Sequence, residues 1–450
     1  MKSVGVIGAG ASGIITAKIL KEKGFHVSVF EEKNHIGGVW KYNKDINIGS
    51  IYKSLKTNLP KESMVFLNSN QTYKSQFSYI DHQDVYKYLD DNIKSWGLLE
   101  SIKFNTKVIS IKPLNNYSLK LNNISSHDVN EFYVDNINNT KWKLKAIYND
   151  NVISYVFDYI VICSGHFSKP NDGIKNINGQ HNIKITHSKN YRSPDKFKGN
   201  IICVGNGASG KDISLELKQH GCNVYIAKKD IGIDEENRSL NRNIYKKNIY
   251  ESYFISMPLD IINKNDKSLV ITSYGNEIEV DHIILCTGYI YQYDFIKDII
   301  KVSENQNVYP LYKDIIHTYY PSMAFIGLQK NILPFVLFEA QAEYISSLWL
   351  RNSIEDLSTR KTEIENRYKK SNYKDVHNIQ THHWNYIYDL YSFVGIPESY
   401  KSKLRLIQLV FDDALNNKDN NPYDYRNFNY NINYKKNKWS KTIDNTRSII

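Results

Sequence analysis

Two stretches in different parts of the sequence follow one pattern, and this pattern decides the fold. The first is VGVIGAGASGIITAKILKEKGFHVSVFEE (Val4–Glu32), and the second is IICVGNGASGKDISLELKQHGCNVYIAKK (Ile201–Lys229). Each begins with an apolar run, passes through a glycine-rich turn, continues with apolar residues at helical spacing and ends in an alternating run. This order predicts a β-α-β unit with two parallel strands.

The glycines of these turns predict a ligand. In such a turn the first glycine permits the tight bend, the second lets the backbone approach a pyrophosphate, and the third allows close packing of helix on strand. The following helix N-terminus offers unpaired N–H groups to the phosphates. The residues that we expect to contact two dinucleotides are Gly8, Gly10, Ala11, Ser12 and Gly13 in the first turn and Gly205, Gly207, Ser209 and Gly210 in the second.

The residue 23 positions after the first glycine of each turn distinguishes the two ligands. It is Glu31 in the first unit, where a carboxylate would accept hydrogen bonds from ribose hydroxyls, and Lys228 in the second, followed by Lys229. A cation at this position suits the 2′-phosphate of NADP. Alternatively, Lys228 is a solvated strand-end residue in a lysine-rich chain. Because the charges at the two positions are opposite, we assign FAD to the first site and NADPH to the second, with hydride passing from nicotinamide to flavin.

Two further strand patterns predict the domain organisation. DYIVICSGH (Asp158–His166) and DHIILCTGY (Asp281–Tyr289) each carry an acidic residue, an apolar run, a small residue and a glycine. The chain is expected to leave its first domain after Gly165 and to re-enter it after Gly288. The prediction is an α/β fold with two Rossmann-like dinucleotide-binding domains, the NADP domain (166–288) inserted into the FAD domain (1–165 and 289–450). Helices are expected from Phe335 to about Phe411, followed by a polar tail that is irregular or wraps over the surface.

Composition excludes several classes of function. The net charge is +11, but the lysines are spread along the chain, which argues against nucleic-acid binding. No apolar run reaches eighteen residues, which argues against a membrane span. Strand-like residues begin within four positions of the N-terminus, which predicts no signal peptide and a cytoplasmic protein. The cysteines (Cys163, Cys203, Cys222 and Cys286) have neither metal-ligand nor C-x-x-C spacing, so we expect buried thiols, no metal site and no disulfide oxidoreductase.

Several blocks outside the glycine turns resemble one family, the flavin-containing monooxygenases. They are GGVWKYN (Gly37–Asn43), SLKTNLPKESM (Ser54–Met64), HQDVYKYLDDNIKSWGLLESIKFNTKV (His82–Val108) and CTGY (Cys286–Tyr289). The family fingerprint, F-x-G followed by H-x-x-x-Y/F, is present in altered form. Ile177 replaces the aromatic residue, Gly179 stands for the glycine, and HSKNY supplies His187 and Tyr191 after a longer spacing.

The resemblance implies a mechanism and further site residues. NADPH would reduce FAD, and O2 would add at the flavin C4a. The hydroperoxide would then transfer oxygen to a small-molecule amine or sulfide. Asn58 would be catalytic and would contact the flavin, since an amide donates and accepts hydrogen bonds without titrating; next to Leu-Pro it could instead only shape a turn. The other implied cofactor contacts are Gly38, Val39, Trp40, His187, Tyr191, Thr287 and Gly288.

Three alternatives remain at this stage. A Baeyer–Villiger monooxygenase shares the oxygen chemistry, but its fingerprint ends in Trp where this chain has Tyr191. An NADPH oxidase-like flavoprotein would release the activated oxygen as peroxide. A sensor would keep FAD and NADP without turnover. The sequence leaves open whether the chain forms a homodimer.

Overall fold

The computed structural model describes most of the chain and defines its helices and strands. The described residues are 1–114, 140–173, 183–228, 253–255, 258–264, 267–273, 275–371, 374–380, 382–422 and 424–444. Their α-helices are α1 (Ala11–Glu22), α2 (His82–Ser95), α3 (Ala208–Gln219), α4 (Pro334–Arg351), α5 (Leu357–Lys370), α6 (His383–Val394) and α7 (Glu398–Asn420).

The strands of the described residues are numbered along the chain. They are β1 (Ser3–Ile7), β2 (His26–Phe30), β3 (Ile102–Lys103), β4 (Lys107–Pro113), β5 (Trp142–Tyr148), β6 (Asn151–Phe157), β7 (Tyr159–Ile162), β8 (Lys169–Pro170), β9 (Lys184–His187), β10 (Asn200–Val204), β11 (Asn223–Ala227), β12 (Tyr253–Ile255), β13 (Pro258–Lys264), β14 (Lys267–Thr272), β15 (Glu277–Glu279), β16 (His282–Leu285), β17 (Tyr289–Ile290), β18 (Lys301–Val302), β19 (Val308–Tyr309), β20 (Leu311–Tyr312), β21 (Ile316–His317), β22 (Met323–Phe325), β23 (Phe428–Asn433) and β24 (Lys438–Ile443).

The chain divides into two compact units. The first unit contains Met1–Lys41, Leu59–His166 and Tyr291–Arg447, and the second contains Tyr42–Asn58 and Phe167–Ile290. The domain boundaries given above (1–165, 166–288 and 289–450) stay a prediction. They did not anticipate that the short segment Tyr42–Asn58 groups with the second unit.

The first unit is built on a seven-stranded sheet. Its strand order is β20-β21-β22-β7-β1-β2-β3, and β1 is paired in parallel with both β2 and β7. Helix α1 packs against α4, and their apolar side chains join those of the sheet in one buried cluster. The central strand β1 is buried from Val4 onward because it is covered on both faces, as expected for a parallel sheet.

The second unit repeats this plan with a five-stranded sheet. Its order is β12-β11-β10-β16-β9, and every neighbouring pair is parallel. The repeat extends to single hydrogen bonds. The N–H of Gly8 donates to the carbonyl of Phe30 over 2.8 Å, and that of Gly205 donates to the carbonyl of Ala227 over the same distance. The predicted fold class, an α/β protein with two dinucleotide-binding units, is confirmed.

The end of the chain differs from the expectation. Helices α4 to α7 follow as expected, but β23 and β24 then form an antiparallel hairpin within the predicted irregular tail. Its anchor is Tyr430, which is buried and donates its hydroxyl hydrogen to Asp413 of α7 over 3.0 Å. Asn417 of the same helix donates to the Tyr430 oxygen over 2.8 Å. Asparagines between the apolar residues hide this strand from a hydropathy pattern.

No α-helix in the described part of the chain has the length and apolar character needed to cross a bilayer. The same residues contain no group of three or more His, Cys, Asp and Glu side chains suited to a metal ion.

Candidate functional site

Close packing explains two of the three glycines in the first turn. A Cβ atom on Gly8 would lie 2.6 Å from the carbonyl oxygen of Cys163, and one on Gly13 would lie 1.9 Å from the carbonyl oxygen of Gly8. Gly10 differs, because among the described residues a Cβ there would meet only backbone atoms of Gly38, at an ordinary 3.7 Å or more. The protein itself therefore requires Gly8 and Gly13, whereas Gly10 leaves room for a ligand to approach the backbone.

The helix that follows this turn presents an anion-binding end. Helix α1 begins at Ala11, with Gly10 as its N-cap, so no side chain caps its first N–H groups. Ala11 and Ser12 are buried at this end. An uncapped helix N-terminus directly after a tight glycine turn fits a pyrophosphate, by its N–H groups and by the helix dipole.

Glu31 is placed where the sequence predicts a ribose acceptor, and it also braces the turn. Its Oε2 accepts the N–H of Ala9 over 2.8 Å, and its Oε1 accepts the N–H of Lys33 over 2.9 Å. Burial raises the pKa of this carboxyl, opposed by the two backbone hydrogen bonds. Each carboxylate oxygen keeps a second lone pair for a ribose hydroxyl.

Replacing Glu31 by glutamine should expose this bracing role. An amide nitrogen cannot accept, so the N–H of either Ala9 or Lys33 loses its partner, which costs about 1–3 kcal/mol of unfolding free energy. Denaturant unfolding and the flavin content of the purified protein measure the effect. The control is Glu32→Gln, which changes an exposed neighbour paired with Lys33. Equal stability of the two variants would contradict the bracing role.

A short turn carries the predicted contacts Gly38, Val39 and Trp40. These residues form a single 3-10 turn. The N–H of Gly37 donates to the carbonyl of Ala9 over 2.9 Å, which holds this turn beside the first glycine turn. Trp40 is half-buried against the core of the first unit. The structure thus brings the turn that carries these three residues beside the first glycine turn.

The second glycine turn has the same backbone with different chemistry. A Cβ on Gly205 would lie 2.5 Å from the carbonyl oxygen of Cys286, and one on Gly210 would lie 1.9 Å from the carbonyl oxygen of Gly205. Gly207 is exposed, and a Cβ there would meet no atom of the described residues within 4 Å. Ser209 is half-buried in the first turn of α3. Packing among the described residues therefore gives no reason for glycine at position 207, and the position leaves room for a ligand to approach the backbone.

The carboxylate that braces the first turn has no equivalent in the second. Lys228 stands at the position of Glu31, half-buried at the end of β11, and its N–H donates to the carbonyl of Ile255 over 3.2 Å. Asn206 replaces Ala9, and its buried Oδ1 has no hydrogen-bond partner among the described residues. An ammonium group in place of a carboxylate fits a phosphorylated ribose. Lys229, like Ile177 and Gly179, lies outside the described residues.

Three predicted residues of the second unit lie together, and the fourth, Tyr191, bonds to helix α3. His187, at the end of β9, donates from Nε2 to the carbonyl of Gly288 over 3.0 Å, and its Nδ1 accepts the N–H of Lys189 over 3.0 Å. The ring is therefore neutral, in agreement with burial lowering the pKa of His187. The Thr287 hydroxyl donates to the Asn171 carbonyl. Tyr191 is also buried, and its hydroxyl donates to Glu216 of α3 over 2.7 Å.

Asn58 is exposed at the end of the segment Tyr42–Asn58. Among the described residues no hydrogen bond of its side chain is found, so its amide is free to meet a ligand. Three side chains that hold this segment were not predicted from the sequence, namely Arg192, Asp212 and Glu216. Arg192 directly follows the fingerprint residue Tyr191. Its position in the sequence does not indicate that its hydrogen-bond partners are backbone carbonyls far away in the chain.

Comparisons with known proteins identify the family of this chain. The family described as flavin-binding monooxygenase-like matches residues 1–238 and 232–427. The flavin-containing monooxygenase FMO GS-OX1 of Arabidopsis thaliana is 30% identical over 375 residues, which are 77% of this chain and 73% of that protein. The S-allyl-L-cysteine S-oxygenase from Allium sativum has a similar structure, with a TM-score of 0.75, 26% identity and 94% of each chain covered.

A more distant structure shows the shared fold. Tmm from Pelagibacter sp. strain HTCC7211 has a TM-score of 0.77 at 22% identity, covering 99% of this chain and 97% of that one. The predicted family is confirmed, and the predicted cofactors, FAD and NADPH, are confirmed as those of the family. The chain belongs to the flavin-binding monooxygenase-like family and is an oxidoreductase of the flavin-dependent monooxygenase type.

Proposed function

We propose that this protein uses NADPH and O2 to transfer one oxygen atom to a soft nucleophile, a sulfide sulfur or an amine nitrogen, of a small molecule. The observation that carries the proposal is that the two glycine turns have the same close backbone packing, while the residue 23 positions after the first glycine of each has the opposite charge. It is Glu31 in the first unit and Lys228 in the second. Similarity to an S-allyl-L-cysteine S-oxygenase favours a sulfide over an amine.

The residues of the two turns fit their cofactors. The first turn and Glu31 would hold the pyrophosphate and ribose of FAD; the second turn and Lys228, with Lys229, would hold NADPH. Bound FAD supplies the oxygen-activating chemistry once NADPH has reduced it. His187, neutral and bonded to Gly288, shapes the end of the second site and carries no charge to it.

Asn58 is the side chain that we assign to the oxygen-transfer step. An amide donates one hydrogen bond and accepts another, and it holds no titratable proton. The amide can therefore hydrogen-bond to the activated oxygen without transferring a proton to it. Proton transfer would favour release of that oxygen as hydrogen peroxide. The exposed position of Asn58 leaves both amide atoms available for this task.

Rapid mixing tests the proposal. The protein is loaded with FAD, reduced anaerobically with NADPH and mixed with O2 while the flavin spectrum is recorded. We expect a species distinct from oxidised and reduced flavin, and we expect dimethyl sulfide or trimethylamine to speed its decay. A cyclic ketone added in a parallel run tests Baeyer–Villiger reactivity. The proposal is wrong if the flavin reoxidises at once with stoichiometric peroxide, if only the ketone speeds decay, or if NADPH does not reduce the flavin.

A further inference from the structure

The segment Tyr42–Asn58, which ends at the proposed catalytic amide, is fastened to the second unit by two sets of side-chain contacts. It lies far in sequence from the rest of that unit, Phe167–Ile290. Backbone pairing contributes little, since the N–H of Lys53 donating to the carbonyl of Arg192 over 2.9 Å is the one such bond found between the described residues of the two stretches. Side chains therefore carry most of the attachment.

Arg192 makes the first set of contacts. Its Nε donates to the carbonyl of Asn43 over 2.8 Å, and its Nη2 donates to the carbonyl of Asp45 over 3.0 Å. Longer contacts from Nη2 reach the carbonyls of Ile48 and Gly49, at 3.2 and 3.4 Å. The guanidinium is itself fixed, because its Nη1 donates to the carbonyls of Lys189 and Tyr191. A planar fork with five N–H groups on three nitrogens can hold more carbonyls, over a wider span, than the three N–H groups on the single nitrogen of a lysine.

Helix α3 makes the second set. The carboxylate of Glu216 accepts the Ser54 hydroxyl at Oε1 and the Tyr191 hydroxyl at Oε2, both over 2.7 Å. Asp212 accepts the Tyr52 hydroxyl over 3.1 Å. The rings of Tyr52 and Tyr191 meet edge to face, with centroids 5.8 Å apart. Residues from both stretches thus converge on the carboxylates of one helix.

That helix also forms part of the second dinucleotide site. Helix α3 begins at Ala208, directly after Gly207, and runs for 12 residues. Asp212 lies about one helical turn, and Glu216 about two turns, beyond the end that would face the pyrophosphate. A short α-helix moves as a rigid body, so a ligand that orders its N-terminus also orders the two carboxylates. The hydrogen-bond partners of these carboxylates in Tyr42–Asn58, which are Tyr52 and Ser54, would be ordered with them.

We propose that Arg192 and Glu216 are positioning residues for Asn58, and that through them the occupied NADP site holds the catalytic segment in place. The proposal rests on the function proposed above for Asn58. It predicts that loss of the contacts separates NADPH consumption from oxygen transfer. NADPH would still reduce the flavin, but more of the activated oxygen would leave as peroxide, because the amide is no longer held.

The test compares Arg192→Ala with Arg351→Ala in the FAD-loaded protein. Arg351 is a matched control, because it also donates to two backbone carbonyls, those of Phe393 and Val394, in the first unit. Hydrogen exchange is followed with and without NADP⁺, alongside the ratio of peroxide to NADPH consumed. In the unaltered protein and in the control, NADP⁺ should slow exchange in residues 42–58 by about 10-fold. In Arg192→Ala this slowing should fall below about 2-fold while the start of α3 stays protected.

Further variants separate positioning from general damage. Arg192→Lys should restore part of the coupling, and Ser54→Ala, which removes one contact to Glu216, should uncouple mildly if Arg192→Ala does not fold. If Arg192→Ala keeps NADP⁺-dependent protection of residues 42–58 and full coupling, the inference is wrong. If instead protection is lost but Asn58→Ala oxygenates sulfide normally, the attachment stands and the role of Asn58 in the proposed function falls.

Discussion

Replacing Lys228 by alanine should raise the KM for NADPH about 10- to 100-fold, with the KM for NADH unchanged within about 2-fold. The ammonium group would contact the 2′-phosphate, which NADH lacks. A hydrogen bond to a charged group contributes about 1.5–3 kcal/mol, and this sets the expected range. Flavin reduction is measured anaerobically against the concentration of each nucleotide, so that oxygen chemistry does not enter.

The control for this prediction is Lys198→Ala, which removes an exposed lysine of the same unit away from the end of β11. It should leave both KM values unchanged, because the net charge alone contributes little at physiological salt. An equal rise in KM for NADPH and NADH in Lys228→Ala would refute the 2′-phosphate contact. Lys228 would then be an ordinary strand-end lysine.

Two alanine substitutions in the second glycine turn should differ sharply. Gly210→Ala places a methyl group 1.9 Å from the carbonyl oxygen of Gly205, so backbone must shift, and we expect a loss of about 3 kcal/mol or more in stability. Gly207→Ala adds a methyl group that meets no atom of the described residues within 4 Å. It should lower stability by no more than about 1 kcal/mol, since alanine is a poorer N-cap of α3 than glycine, and it should raise the KM for NADPH about 10-fold, because the methyl group would occupy the approach of the pyrophosphate.

Thermal unfolding without nucleotide and reduction kinetics with NADPH separate these two effects. If Gly207→Ala lowers the melting temperature as much as Gly210→Ala does, the ligand is not the reason for glycine at that position. If Gly207→Ala binds NADPH normally, the pyrophosphate lies elsewhere. The same pair of measurements on Gly13→Ala and Gly10→Ala, with flavin retention as the readout, extends the comparison to the first turn.

The sequence predicted the parts of the fold that depend on neighbours in the chain. Gly8, Gly13 and Glu31 lie within one β-α-β unit, where local spacing determines which atoms meet, so both glycine turns could be recognised and told apart. The hairpin at Phe428–Ile443 was missed because its apolar residues alternate with asparagine and lysine. Its stability depends on Tyr430 reaching α7, a contact that no local pattern reveals.

The site was predicted less completely for the same physical reason. Tyr191 was expected to contact the cofactor; its hydroxyl is bonded to Glu216, 25 positions along the chain. Arg192 bonds to carbonyls up to 149 positions away. Every residue has a backbone carbonyl, so the partner of such an arginine carries no sequence signature. Asn58 as the catalytic amide stays a prediction.

The edge-to-face contact between Tyr52 and Tyr191 determines where crossovers should lie in chimeras of this protein with its relatives. A chimera that exchanges only residues 167–290 would pair one parent's Arg192 and Glu216 with the other parent's residues 42–58. The contact between the rings of Tyr52 and Tyr191 would then join side chains from different parents, and so would the hydrogen bonds from Arg192 to the carbonyls of residues 42–58. This would happen although the exchanged block is continuous in sequence. Crossovers should therefore transfer both stretches together. Libraries built on a single continuous insert should be enriched in variants that bind both cofactors but waste NADPH.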